Sequence, residues 1–262
     1  MSHMSAIGFD VPLDEFQAIV ERGASQSARL DTPIGSYLQW SVGAGVELWL
    51  QANAVDKIVG CNPHFSGTGQ MPVAMIETAS MPGRPLDGHC FGWAAPRDSD
   101  NPYSGLHSFA AHLPDFAYVD ERILIPPVVS LQVAAFASSL EFFPTEAAYI
   151  ESQWGQYYYA EPGVTTWQHV ENEGMPQPDV FLTGIVTASE CRKNPITGQE
   201  FHTLALQTSA GSLDVVADMA TVTRRPAVGT VVAGNFWLSA AVISDLPAPK
   251  PIATFQRARA HS

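Results

Sequence analysis

Short runs of alternating apolar and polar residues recur along most of the chain and predict a protein built mainly from β-strands. The runs are divided by turn residues, and the sequence contains 20 glycines and 20 prolines. One amphipathic helix is predicted at Leu13–Arg22, because Leu13, Phe16 and Ile19 fall on one stripe. The pattern therefore indicates an α+β fold that is mainly β.

A hairpin and a short helix stand out in the first 153 residues. Ile34–Val42 and Gly45–Ala52 predict a hairpin across Gly43-Ala44, and Thr145–Gln153 predicts a short helix that Thr145 caps. Further predicted strands are Lys57–Cys61, Pro72–Thr78, Gly88–Ala95, Phe116–Val119, Val128–Ala137 and Leu140–Phe143. Loops are predicted between them, for example at Asn62–Gln70. The sequence itself shows no internal repeat.

The stretch from Asp179 to Asp245 predicts a compact run of strands. Its predicted strands are Phe181–Ala188, Phe201–Thr208, Leu213–Ala217 and Thr230–Ile243. This strand and turn pattern resembles an OB fold, a small five-stranded barrel, over about a quarter of the chain. The resemblance implies a barrel at residues 178–245, and it implies single-stranded nucleic acid as one class of ligand.

The chain is accordingly predicted to have two folded parts. Residues 1–4 have the sequence of a cloning remnant, residues 5–151 form an acidic N-terminal α+β domain, and residues 152–177 form an aromatic-rich connector. Residues 178–245 form the OB-like barrel, and residues 246–262 form a proline-rich tail.

The charge distribution argues against nucleic acid as a partner. The net charge is −13, and 20 of the 26 acidic residues but only 6 of the 13 basic residues precede Pro176. If Leu204, Leu206, Leu213 and Val215 face the barrel core, the opposite face carries one aromatic residue, no cation and the carboxylates of Asp214 and Asp218. Such a face repels phosphates, so nucleic-acid binding is not expected.

The candidate chemistry is sparse. No zinc-finger spacing, nucleophile elbow or phosphate-binding loop is present, so no catalytic residue, metal site or cofactor is predicted. The alternative hypothesis is an enzyme that depends on a metal or a small molecule, with a pocket in the N-terminal domain built around Glu47, His64, His89 or His107.

The leading hypothesis is a non-catalytic binding or protein-interaction protein, with an unknown protein partner or self-association. Aromatic residues in and beside the connector could form its apolar contact surface, and the candidate binding residues are Trp154, Tyr157, Tyr158 and Trp167.

A cytoplasmic location without membrane contact is predicted. The three cysteines are odd in number and widely spaced, which is typical of a reducing compartment, and no signal peptide is recognised. The longest uncharged run, Ile123–Leu140, contains Pro126-Pro127 and several serines, so it favours buried strands over a membrane span.

Overall fold

The computed structural model describes residues 3–123, 128–157, 167–169 (backbone only), 177–222 and 225–244. The described fold is mainly β and contains two sheets. Its helices are α1 (Leu13–Ala24), α2 (Phe116–Asp120), α3 (Glu146–Glu151) and α4 (Gln153–Tyr157), with short 3₁₀ turns at Ser5–Ile7 and Pro102–Ser104. None of the helices in the described residues is long and apolar enough to cross a membrane.

The small sheet is an antiparallel meander of the first four strands. These are β1 (Ala28–Thr32), β2 (Gly35–Gly43), β3 (Val46–Asn53) and β4 (Ile58–Phe65). The predicted hairpin is confirmed as β2 and β3, which turn through Ala44 and Gly45, both with positive φ.

The large sheet contains nine strands. They are β5 (Gln70–Met81), β6 (Arg84–Ala94), β7 (His107–Leu113), β8 (Val128–Phe143), β9 (Trp167–His169), β10 (Asp179–Lys193), β11 (Glu200–Thr208), β12 (Gly211–Asp218) and β13 (Val231–Val242). The strand order is β11-β12-β8-β5-β6-β7-β13-β10-β9, and β11 also pairs with β10 and β8 with β13.

These extra pairings close two rings of five strands that share β8 and β13. One ring runs β8-β5-β6-β7-β13, and the other runs β13-β10-β11-β12-β8. The shared strands pair antiparallel from Leu131↔Val242 to Phe143↔Val231. The four predicted C-terminal strands are all present, and they join strands of the first half of the chain in one sheet.

The two rings contain a repeated topology that the sequence did not reveal. In each unit, β5–β8 and β10–β13, three antiparallel strands are followed by a fourth that pairs antiparallel with the first. The third strand of each unit then pairs in parallel with the fourth strand of the other. The two units are therefore related by an approximate two-fold axis through the β8–β13 pair.

Two hydrophobic cores organise these layers. The main core lies between strands of both rings and contains Leu131 and Leu238 of the shared strands. The second core lies between the small sheet with α1 and the opposite face of the large sheet, where Phe136, Phe201 and Val216 are buried. The face of β11 and β12 that alternation predicts to be outside the barrel core is thus largely covered by other elements.

Three local predictions are wrong. Phe116–Val119 is helical because Phe116, Val119 and Ile123 bury at a spacing of three to four residues, which is the helical period. Residues 62–65, predicted as loop, continue β4, because Pro63 and Phe65 extend its pairing with β3. Residues 128–143 form one continuous strand rather than two, since β8 pairs with β13 from Leu131 to Phe143 with one bulge, across the predicted break.

Candidate binding cleft

A layer of polar side chains is buried between the two sheets where β4 crosses the β8–β13 pair. His64 of β4 lies between the two shared strands, with Nδ1 2.8 Å from Ser239 Oγ and Nε2 2.8 Å from Gln132 Oε1. The Gln132 amide in turn donates to Asp214 Oδ2 at 3.2 Å. Four side chains from four strands thus form one hydrogen-bonded chain.

The partners in this chain fix the direction of each hydrogen bond. The Gln132 oxygen can only accept, so His64 Nε2 donates to it, and the neutral imidazole accepts from the Ser239 hydroxyl. Burial lowers the pKa of His64, and the charge of Glu47 opposes that shift only in part. Ser239 is 0% exposed and His64 is 1% exposed, so this Ser–His pair is closed to substrates and joins the sheets instead.

A second buried group surrounds His112 on β7. His112 Nε2 donates to Asp87 Oδ1 at 2.7 Å, and Asn62 and Arg84 also contact this carboxylate. Burial by itself would raise the pKa of Asp87, but the hydrogen bond and charge of His112 and the charge of Arg84 outweigh it, and the pKa is lowered. Nδ1 of His112 has no hydrogen-bond partner among the described residues.

The four residues of the enzyme hypothesis only partly converge. Glu47 and His64 are direct neighbours across β3 and β4, and Glu47 accepts hydrogen bonds from Trp49 and Gln39. His89 faces His112 across β6 and β7, whereas His107 lies elsewhere and contacts Ser209. Among the described residues, no three His, Cys, Asp or Glu side chains are arranged to hold a metal ion.

Beside the polar layer, the second unit forms a cleft of about 330 Å³. Its walls are residues 65–68 after β4, residues 188–190 and Arg192 of β10, residues 203–205 of β11, and Asp214 of β12. Hydroxyl-bearing residues line much of it, namely Ser66, Thr68 and Thr203. We refer to this cavity as the cleft.

The Asp214 carboxylate is held in the cleft wall by neutral donors. Its Oδ2 accepts from the Gly69 backbone at 2.7 Å and from Gln132. The loop can approach so closely because glycines occupy it: a Cβ at Gly67 would lie 2.1 Å from Asp214 Oδ2, and one at Gly69 would lie 2.5 Å from the Leu213 backbone.

A fixed guanidinium completes the cleft. Arg192 bonds to Glu190 at 3.0 Å and to the Ala44 carbonyl at 3.2 Å, and it lies over the Phe65 ring. Ser189 also borders the cavity, but it pairs with Leu204, so its side chain shares the core-facing side of the strand with Leu204 and lies away from Asp214.

The aromatic candidates of the connector lie apart from the cleft. Trp154 stacks on Phe181 with ring centroids 5.2 Å apart, and it packs against the small apolar cluster around Tyr149. Tyr157 ends α4 and is 71% exposed. The backbone of Trp167 pairs with Leu182, and Tyr158 lies outside the described residues.

Sequence reasoning missed most of the cleft. It placed Asp214 on an outward face and residues 65–69 in a loop, and it did not connect these two segments. The available signal was the glycine pair Gly67 and Gly69, which marks a close approach of backbone to another element.

Comparison with known proteins found no matching family model, no matching curated protein and no matching solved structure.

Proposed function

We propose that this chain is a non-catalytic binding protein that holds a small polar molecule in the cleft. The observation that carries the proposal is the cavity itself, whose wall presents the buried Asp214 carboxylate, held only by neutral hydrogen-bond donors, beside Thr203. Binding pockets are typically concave, largely preformed and equipped with a few fixed polar groups. The glycine loop and the anchored Arg192 meet this description.

The chemistry around the cleft supports binding rather than catalysis. The nearest nucleophile–base pair, Ser239 with His64, is sealed inside the molecule, and Asp214 reaches it only through the Gln132 amide. A catalytic base must reach the proton that it removes, directly or through one water. An enzyme built around Glu47, His64, His89 or His107 therefore stays the less supported alternative.

A screen with a matched pair of variants tests this proposal. We expect ligand-observed NMR with amino acids, amino alcohols, sugars, polyols and nucleosides to find a compound with a Kd below about 1 mM. Thr203→Val should weaken the binding of that compound about fivefold, because Thr203 lines the cleft on the same face as Asp214 and one hydrogen bond contributes about 1 kcal/mol. Ser36→Ala is the control, since Ser36 is 0% exposed with an unpartnered Oγ but lies outside the cleft.

Two outcomes would contradict the proposal. One is that no compound binds in this range. The other is that the best compound binds the wild type, Thr203→Val and Ser36→Ala equally well, because the binding site would then lie elsewhere.

A second candidate function is interaction with a protein partner or a second copy through the connector. It is favoured by the exposure of Tyr157 next to the Trp154–Phe181 stack, since exposed aromatic side chains are enriched at protein interfaces. Light scattering should then show a dimer, or a pull-down a partner, and Tyr157→Ala should weaken that association. A strict monomer without partners in pull-downs would exclude this function.

Three further proposals concern the type of barrel, the class of partner and the location in the cell. The ring of β8, β10, β11, β12 and β13 has the strand number of an OB-like barrel and supports that comparison. The face of β11 and β12 that would bind nucleic acid in an OB fold carries Phe201, Asp214 and Val216, which are buried. This burial favours a partner other than nucleic acid. A cytoplasmic location is supported by Cys61, Cys90 and Cys191, which are all free thiols.

A further inference from the structure

Asp214 is a buried carboxylate whose charge has no counterpart. It is 6% exposed, and it takes part in none of the ion pairs among the described residues. Its hydrogen-bond donors, the Gly69 amide and the Gln132 amide, are both neutral. A buried charge without a partner of opposite sign is strongly unfavourable in a folded protein.

The two other buried carboxylates of the polar layer differ from Asp214 in this respect. Asp87 is paired with Arg84 and His112, so its charge is compensated within the chain. Glu47 does not line the cleft, and it accepts from both Trp49 and Gln39. Only Asp214, among these three, borders a cavity that an external group can enter.

The remaining charges of the cleft do not neutralise Asp214. Arg192 is paired with Glu190 and is held at the wall by the Ala44 carbonyl, so these two charges compensate each other. His64, two links away along the hydrogen-bonded chain, is neutral because burial lowers its pKa. The cleft thus has one uncompensated negative charge, and the net charge of −13 attracts cations from solution.

We propose that the ligand of the cleft is a small primary amine whose ammonium group binds the Asp214 carboxylate. This inference rests on the proposed function, and it adds the chemical class of the ligand. The ammonium donates to Asp214 and supplies the missing positive charge, while the hydroxyl of Thr203, on the same face, contacts a polar tail. A cavity of about 330 Å³ accommodates a molecule of several non-hydrogen atoms beyond the ammonium.

Three probes of equal length and different charge test this inference on the full chain. They are 4-aminobutan-1-ol, butane-1,4-diol and 4-hydroxybutyrate, which share one hydroxyl and differ only at the other end. We expect the amine to bind the wild type at least about tenfold more tightly than the diol, with the carboxylate weakest. Amide shifts in ¹⁵N-resolved spectra should move at residues 188–190 and 203–205, which line the cleft.

Variants then assign the charge preference to one residue. Asp214→Asn keeps the size of the side chain and an oxygen for the Gly69 amide, and it should reduce the preference for the amine to below about twofold. Glu200→Gln is the control, because Glu200 is an exposed carboxylate of β11 outside the cleft, and it should leave the preference unchanged.

The outcomes separate this inference from the function on which it rests. If the diol or the hydroxybutyrate binds the cleft as tightly as the amine, the cleft is a binding site but the inference about its ligand is wrong. If no probe binds and the broader screen also finds nothing, both are wrong. The wild-type comparison needs no variant, so misfolding of Asp214→Asn would not rescue the inference.

Discussion

Some buried polar groups of this protein have hydrogen-bond partners among the described residues, and others have none. His64 and Asp87 have fixed partners, and both belong to the layer that joins the sheets. Ser189 and Asp115 each bury an oxygen without a hydrogen-bond partner among the described residues. Such groups are few in native proteins, and they point either to a binding site or to a local loss of stability.

Asp115 is an example of a buried, unsatisfied group that lowers stability, and this can be tested. Burial raises its pKa from 3.8 to about 6, and the charge of Glu47 adds to this rise. The folded state therefore favours the protonated acid, and its stabilising effect, present below about pH 4, is lost as the pH rises to about 6. We expect Asp115→Asn to be more stable than the wild type at pH 7, by at most about 3 kcal/mol.

Urea unfolding at pH 4 and pH 7 measures this effect as the difference between variant and wild type. Subtracting the unfolding free energies of the two proteins at each pH cancels the contributions of the other titrating groups. An advantage of Asp115→Asn that is the same at both pH values, or absent at pH 7, would show that this carboxylate carries no such penalty.

At the scale of elements, β4 is the strand that ties the small sheet to the shared strands. Its His64 contacts β8 through Gln132 and β13 through Ser239, and its Phe65 packs in the second core. Because burial lowers the pKa of His64, the folded state requires the neutral imidazole. This stabilising contribution is present above the ordinary pKa of 6.5 and is lost as the pH falls below it.

We expect His64→Gln to lose about 1–3 kcal/mol of unfolding free energy at pH 7.5, and the gap to the wild type to narrow at pH 5. Chemical denaturation at the two pH values measures this gap. His107→Gln is a control, because His107 is only partly buried and contacts Ser209 outside the polar layer. A gap for His64→Gln that stays constant with pH would contradict the assignment.

Elements with a regular pattern of apolar residues along the chain could be predicted from the sequence. Alternation identified β2, β3, β11 and β12, and the stripe of Leu13, Phe16 and Ile19 identified α1. The helix at Phe116 was missed because its aromatic and β-branched residues favour strands locally, whereas the packing of Val119 and Ile123 selects a helix. The sequence also predicted Thr145 as the helix cap, and its side chain accepts a hydrogen bond from the Ala148 backbone amide.

At the scale of the whole molecule, the strand order could not be predicted from the sequence. Parallel pairs such as Asp214↔Ala134 and Ser239↔His112 join residues about 80 to 130 positions apart, and no local pattern records them. The cleft was missed for the same reason, since its walls come from four separate segments. The predicted division into residues 5–151 and 178–245 stays a prediction, although strands of both segments share one sheet.

The exchange of fourth strands between the two units has a consequence for how such a fold can arise. Neither β5–β8 nor β10–β13 can close its ring alone, because each ring needs the last strand of the other unit. Two identical copies of one unit, related by a two-fold axis, would close both rings at once. The chain therefore has the strand connections of a symmetric dimer fused into one polypeptide.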